Sequence, residues 1–174
     1  RIATYAARTG ISIDPKQIHQ TKTRLFDNLL KARGVTPRPG VVESLRLSRE
    51  LGMKTAFGST TAASTVSALL NAQDGLLAQL FDTATSAEDG FAQKPAPDVY
   101  RALCQRFQIA PEQALVVEDN APGLEAARLS GAHVIAFLGA NTQDHSTQAA
   151  DWVASEDVFP VVQRALTTQE RKAG

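Results

Sequence analysis

Ile18, Leu25, Phe26, Leu29 and Leu30 recur on one face of a helical repeat. Ahead of them, Asp14-Pro15-Lys16-Gln17 reads as a helix start, with an N-cap, a proline at the first helical position and a glutamine completing a capping box. Gly34 closes this helix. A weaker helical stripe, Ile2, Tyr5 and Ala6, precedes it and ends at Gly10. The segment Thr36-Pro37-Arg38-Pro39-Gly40 then forbids regular structure, because proline removes a backbone donor and fixes φ. A boundary falls there: residues 1–36 form a small helical element and residues 37–174 a larger unit.

Beyond Gly40 the pattern alternates. Val42, Leu45, Leu47 and Leu51 mark an amphipathic helix stopped by Gly52, and Lys54–Gly58 follows as a short strand. Thr61–Leu70 reads as a helix, Leu80–Ala84 as a weaker strand and Pro97–Phe107 as a helix. Ala114–Val117 is a buried strand, Pro122–Leu129 a helix ended by Gly131, and His133–Phe137 a second buried strand. Asp151–Ala154 is a short terminal strand before a helix over Glu156–Leu166, and the polar Thr167–Gly174 tail is expected to fray. Strands separated by helices imply βαβ crossovers and a parallel α/β sheet.

Composition narrows the classes. Eighteen basic and eighteen acidic side chains cancel, so there is no electrostatic footprint for nucleic acid or an anionic membrane. The single cysteine, Cys104, excludes a disulfide scaffold and fits a reducing, cytoplasmic compartment. No apolar run approaches the roughly 18 residues of a membrane span.

Parallel sheets bind ligands at the carboxyl ends of their strands, so candidate chemistry is sought there. Ser59, Thr60 and Thr61 follow the first strand where a helix begins, which offers a hydroxyl and backbone N–H groups to an anion. The alternative is that Ser59 or Thr60 merely caps that helix. Glu118 and Asp119 follow the buried strand at Val117. Adjacent carboxylates there repel each other unless a cation intervenes, and hard oxygen donors suit Mg²⁺. Two other Glu-Asp pairs, Glu88-Asp89 and Glu156-Asp157, follow no strong buried strand and read as solvated or first-turn charges. Between the two sites, Lys94-Pro95-Ala96-Pro97-Asp98 puts two prolines after a lysine, which hold the backbone extended, launch the next helix and fix the direction of a lysine that could pair with a phosphate and with the carboxylates; the alternative is a solvated surface charge.

This ordered trio closely resembles the haloacid dehalogenase superfamily, in particular its β-phosphoglucomutase-like phosphatases with a helical cap. The residues that carry the resemblance are Phe57-Gly58-Ser59-Thr60, Lys94-Pro95-Ala96-Pro97-Asp98, and Val116-Val117-Glu118-Asp119 with Gly123, Ala126, Ala127 and Gly131 behind. It extends from Pro39 to about Val153, and Asp14–Ala32 looks like the returning part of the cap. The resemblance implies a Rossmann-like parallel sheet with a partial helical cap over residues 1–36, and hydrolysis of a small phosphorylated metabolite through an aspartyl-phosphate. It implies that Ser59 and Thr60 bind the phosphoryl group, that Lys94 neutralises charge on nucleophile and phosphate, and that Glu118 and Asp119 hold Mg²⁺.

The family's nucleophile motif, Asp-x-Asp, occurs nowhere in this sequence. The expectation is therefore a C-terminal portion of a longer enzyme, inactive by itself. The family's first strand would lie between the strand leading to Ser59 and the strand leading to Glu118. An upstream segment or a neighbouring copy is expected to fill that slot. A phosphomutase sharing the same chemistry and a non-catalytic relative that keeps the fold for binding or regulation are the competing readings. A response-regulator-like receiver fails, because its acidic pair should follow the first strand and precede the phosphorylated aspartate. His19, Lys22 and Arg24 are possible cap contacts, with solvated helix positions as the alternative.

Overall fold

The computed structural model describes residues 7–11 and 14–173, so the Ile2, Tyr5, Ala6 stripe lies outside the described residues. Helix α1 spans Pro15–Arg33, and Asp14 caps it by accepting the backbone N–H of Lys16 at 2.9 Å. Helix α2 runs over Val41–Glu50, strand β1 over Ala56–Phe57, helix α3 over Ala63–Leu70, α4 over Ala72–Leu80 and β2 over Thr83–Ala84. Then come α5 at Asp98–Phe107, β3 at Leu115–Glu118, α6 at Ala121–Ser130, β4 at His133–Phe137, β5 at Trp152–Ala154 and α7 at Phe159–Ala173.

Strand β4 sits in the middle of a parallel ribbon, β3–β4–β5, with Val116 opposite Val134 and Ala136 opposite Val153. Its side chains alternate between two buried layers, as a strand covered on both faces requires. Val134 and Ala136 join Val99, Tyr100, Leu103, Leu124, Ala126 and Ala127 from α5 and α6. Ile135 and Phe137 join Val158, Val162, Ala165 and Leu166, with Val41 and Leu47 of α2 packed against them. The result is three layers: two helices, a sheet, two helices.

Strands β1 and β2 form a separate parallel ribbon, with Phe57 opposite Ala84. Among the described residues no strand pairing joins it to β3. Helix α5 underlies both ribbons, since Ala56 of β1 and Val116 of β3 pack against the same cluster. The sheet is thus interrupted between the strand that leads to Ser59 and the strand that leads to Glu118. Val117, read from the sequence as buried, is 43% exposed.

Two further differences have local causes. Leu80 belongs to helix α4, not to a strand, and only Thr83–Ala84 pairs with β1. The tail from Thr167 to Ala173 continues α7, and the hydroxyls of Thr167 and Thr168 bond back to the carbonyls of Gln163 and Arg164.

Helix α1 carries an exposed apolar face of Leu25, Phe26 and Leu29 and touches α3. Asp27 makes the attachment, accepting the hydroxyls of Thr65 at 2.7 Å and Ser64 at 3.0 Å. The linker is clamped at Arg38, whose guanidinium lies 3.4 Å above the Phe137 ring centroid and donates to the carbonyls of Phe137 and Leu138 at the end of β4. No helix of the described residues is long and apolar enough to cross a membrane. Cys104 is a buried free thiol.

Candidate active site

Three loops meet where β1 and β3 end. In the first, Ser59 is held by Thr85, which follows β2 and is 1% exposed. The Thr85 hydroxyl accepts the Ser59 N–H at 2.9 Å and donates to the Ser59 carbonyl at 2.8 Å. Ser59 Oγ in turn accepts the N–H of Thr61 at 3.1 Å, which leaves its own hydroxyl proton to donate elsewhere. Thr60 donates its hydroxyl to Gln93, and Gln93 returns a bond to the Thr60 carbonyl. Neither Ser59 nor Thr60 caps α3. The N-cap is Ala62, and Glu88 satisfies the Ala63 N–H at 2.9 Å. Glu88 is exposed in the first turn of a short helix over Ala87–Asp89, in line with its reading from the sequence, and it takes on this capping bond as well.

Lys94 lies in the second loop, before a cis peptide bond to Pro95. Its ammonium has three protons, and each has an acceptor. One goes to the carbonyl of Gly58 at 3.1 Å, one to the Tyr100 hydroxyl at 2.7 Å and one to Glu118 Oε1. The side chains of Lys94 and Glu118 are 16% and 10% exposed, so this ion pair is largely out of water. The Tyr100 hydroxyl donates to the same Glu118 oxygen, and Lys94 Nζ lies 4.7 Å from the Tyr100 ring centroid. Burial, followed by the Glu118 charge, pushes the Tyr100 phenol far above its ordinary range, so it stays a donor.

The third loop opens helix α6. Asn120 is the N-cap, accepting the Gly123 N–H at 3.0 Å and donating to Asp119 Oδ1 at 2.7 Å. The Glu118 carboxylate lies over Gly123: a Cβ there would fall 2.1 Å from Oε2, so any larger residue would require the carboxylate to move. Asp119 is exposed beside it. His145 Nδ1 accepts the N–H of Ala121 at 3.1 Å and supports the same helix start.

The structure therefore brings Lys94 and Glu118 into direct contact, and ties Lys94 to the backbone immediately before Ser59. Asp119 stands at the mouth of the same cluster. Among the described residues no three His, Cys, Asp or Glu side chains come together as a metal-binding group. The protein donors available to a cation are then Asp119 and Glu118 Oε2. Oε2 receives only long contacts, from the Asp119 N–H at 3.3 Å and the Asn120 amide at 3.4 Å. Two hard carboxylates fit Mg²⁺, which takes one or two of them together with water and phosphate oxygens. Sequence reasoning missed Thr85, Tyr100 and His145. Thr85 was within reach, since it follows a strand as Ser59 and Glu118 do.

Beside this cluster, between α1 and α3, is a cavity of about 130 Å³ lined by Lys22, Thr23, Phe26, Thr61 and Thr65. The His19 side chain lies outside the described residues.

Residues 6–131 match the family model for haloacid dehalogenase-like hydrolases. The chain is similar to protein CbbY of Cereibacter sphaeroides, 31% identical over 135 residues, which is 77% of this chain and 59% of that protein. It is also similar to the phosphorylated carbohydrates phosphatase of Thermotoga maritima, 31% identical over 116 residues, 67% of this chain and 50% of that one. Among solved structures, a mutant of CbbY from Rhodobacter sphaeroides in complex with xylulose-(1,5)bisphosphate superimposes with a TM-score of 0.78 at 27% identity. That match covers 88% of this chain and 70% of the other. The chain spans between 45% and 60% of the length of the three curated CbbY proteins it matches.

Proposed function

The chain belongs to the haloacid dehalogenase-like hydrolases, and from that premise we propose that it carries the charge-stabilising half of a Mg²⁺-dependent phosphatase for a small phosphorylated metabolite. The observation that carries this reading is the Lys94 ammonium, bonded at once to the Gly58 carbonyl before Ser59 and to the Glu118 carboxylate before Asp119. Phosphoryl transfer is mainly positioning and charge stabilisation, and a cation fixed between a hydroxyl loop and an acidic loop supplies both.

In this reading the Ser59 hydroxyl donates to a phosphoryl oxygen, with Thr85 holding its backbone in place and Thr60 bordering the same loop. Lys94 offsets negative charge on the phosphate and on the nucleophile. A phosphate oxygen reaches its ammonium by displacing one of three existing acceptors. Asp119 and Glu118 Oε2 hold Mg²⁺, which when bound neutralises phosphate charge. The non-reacting part of the substrate occupies the cavity under α1, where Lys22, Thr23 and Thr61 offer polar groups beside the Phe26 ring. Residues 1–36 act as part of a cap and residues 37–174 as the core. The lone buried thiol fits work in the cytoplasm.

The nucleophile of this reading is an Asp-x-Asp that this sequence does not contain. We place it on a strand between β1 and β3, supplied by an upstream segment or a neighbouring copy. The unpaired interval in the sheet and the exposure of Val117 support that placement. The test is hydrolysis of an aryl phosphate with Mg²⁺, by the 174-residue chain alone and by the chain joined to the segment encoded upstream of Arg1. Turnover is expected only in the second case and is expected to stop in excess chelator. Turnover by the chain alone, or full activity without divalent ion, overturns the reading.

A further inference from the structure

Tyr100 stands six residues from Lys94 on helix α5, whereas Glu118 ends strand β3, yet the Tyr100 hydroxyl contacts both. It is 6% exposed. Its ring is fixed by packing: a Cβ on Gly58 would come within 3.3 Å of Tyr100 Cε1, and the ring belongs to the cluster with Leu103 and Val99. A lysine on a flexible stem cannot by itself decide which way a carboxylate turns. A phenol on a packed ring can, because it has two side-chain torsions and a single proton to give.

We propose that Tyr100 is a positioning residue that acts through Glu118: by donating to Oε1 together with Lys94, it turns the carboxylate so that Oε2 faces the Asp119 turn as a donor to a divalent cation. Two observations carry this. Oε1 is occupied by two donors, whereas Oε2 receives only contacts of 3.3 and 3.4 Å. Gly123 leaves room for Oε2, since a Cβ there would fall 2.1 Å from that oxygen. The inference rests on the reading of Glu118 and Asp119 as cation ligands.

The experiment is Mn²⁺ binding to the 174-residue chain, followed by electron paramagnetic resonance, for the wild type, Tyr100→Phe, Glu118→Gln and the double variant. Phenylalanine keeps the ring and removes only the hydroxyl. Circular dichroism checks the fold, and Tyr100→Met repeats the comparison if the phenylalanine variant does not fold. Partners of metal ligands typically alter affinity by about 10–100-fold, so Tyr100→Phe is expected to weaken Mn²⁺ binding by roughly tenfold or more. In the Glu118→Gln background the same change is expected to have no further effect, since Tyr100 acts through that carboxylate. A wild-type chain that binds no Mn²⁺ overturns the ligand reading and this inference with it. Wild-type binding with an unaffected Tyr100→Phe variant overturns the inference alone. An equal loss in both backgrounds does the same, because it marks a general loosening of the fold.

Discussion

Replacing Lys94 by methionine tests whether the central ion pair is as buried as it looks. The variant keeps the length of the stem and removes the charge, leaving the Glu118 carboxylate, 10% exposed, without its cation. Breaking a buried pair from one side costs about 3–5 kcal/mol, because the surviving charge is uncompensated. Two features reduce that cost here. The Tyr100 hydroxyl still donates to Oε1, and the Asp119 N–H stays near Oε2. A hydrogen bond to a charged group contributes about 1.5–3 kcal/mol. The expected loss is therefore about 2–4 kcal/mol, or about 5–15 °C in thermal midpoint for a chain of this size. Urea denaturation followed by circular dichroism measures it. Two comparisons make the result decisive. Arg128→Ala removes a close but solvent-exposed pair with Glu125 and should leave the midpoint almost unchanged. Lys94→Met combined with Glu118→Gln leaves no charge buried and should recover much of the loss. A Lys94→Met variant no less stable than Arg128→Ala, or a double variant no better than the single, would refute the reasoning.

Gly123→Ala should have a cost despite the better helix propensity of alanine, which alone would favour the variant by about 1 kcal/mol. The new Cβ would lie 2.1 Å from Glu118 Oε2, so a thermal midpoint raised above the wild type would show that the carboxylate sits elsewhere. Thr85→Val removes both bonds to the Ser59 backbone in a site 1% exposed and should destabilise by about 1–3 kcal/mol, read by urea denaturation. Asp82 accepts the Thr55 N–H at 2.8 Å and lies beside Lys54, and these contacts, the backbone bond first, hold its carboxyl below the usual range. Its contribution is thus complete above about pH 4, the ordinary value, and fades as pH falls through the lower folded value. Asp82→Asn should be less stable at neutral pH and should converge with the wild type in acid; a constant difference down the acid limb contradicts the assignment.

The best-read parts of the chain were those with a plain apolar run or stripe. Leu115–Val117 and His133–Phe137 are short apolar runs bounded by turn residues, and they became the paired strands β3 and β4. Helix α5 was equally plain, since Val99, Tyr100, Leu103 and Cys104 recur at helical spacing and all are buried. Helix α4 was missed because Ala72-Gln73-Asp74-Gly75 shows no apolar stripe and contains a glycine, a residue that usually ends helices. Strands β1 and β2 are two residues each, too short for alternation to fix their limits. Among the candidate site residues, Ser59, Lys94, Glu118 and Asp119 stand out in the sequence because each lies at a strand end or before a proline-led helix. Tyr100 was not, because its helical position already explains it as core and nothing in the sequence announces a hydroxyl aimed at a carboxylate.

What the sequence left unread was who holds whom, and there the structure shows a regular scheme. Ser59 after β1 is held by Thr85 after β2, across 26 positions. Lys94 in the next loop is held by the carbonyl at the end of β1 and by the carboxylate at the end of β3. Glu118 is held by Tyr100 from α5, and the helix start behind it by His145 from the loop after β4. Each loop is thus fixed by a group from another segment as well as by bonds within its own turn. Such cross-bracing holds the three loops at fixed positions relative to one another, which the proposed charge stabilisation would require. It also means that disturbance travels. A substitution at Thr85 reaches Lys94 through the Ser59–Gly58 backbone, and one at Lys94 reaches the acidic turn through Glu118. Across the interval between β1 and β3, Lys94 bonds to both flanks, to the Gly58 carbonyl and to the Glu118 carboxylate, above the α5 residues that pack under both ribbons.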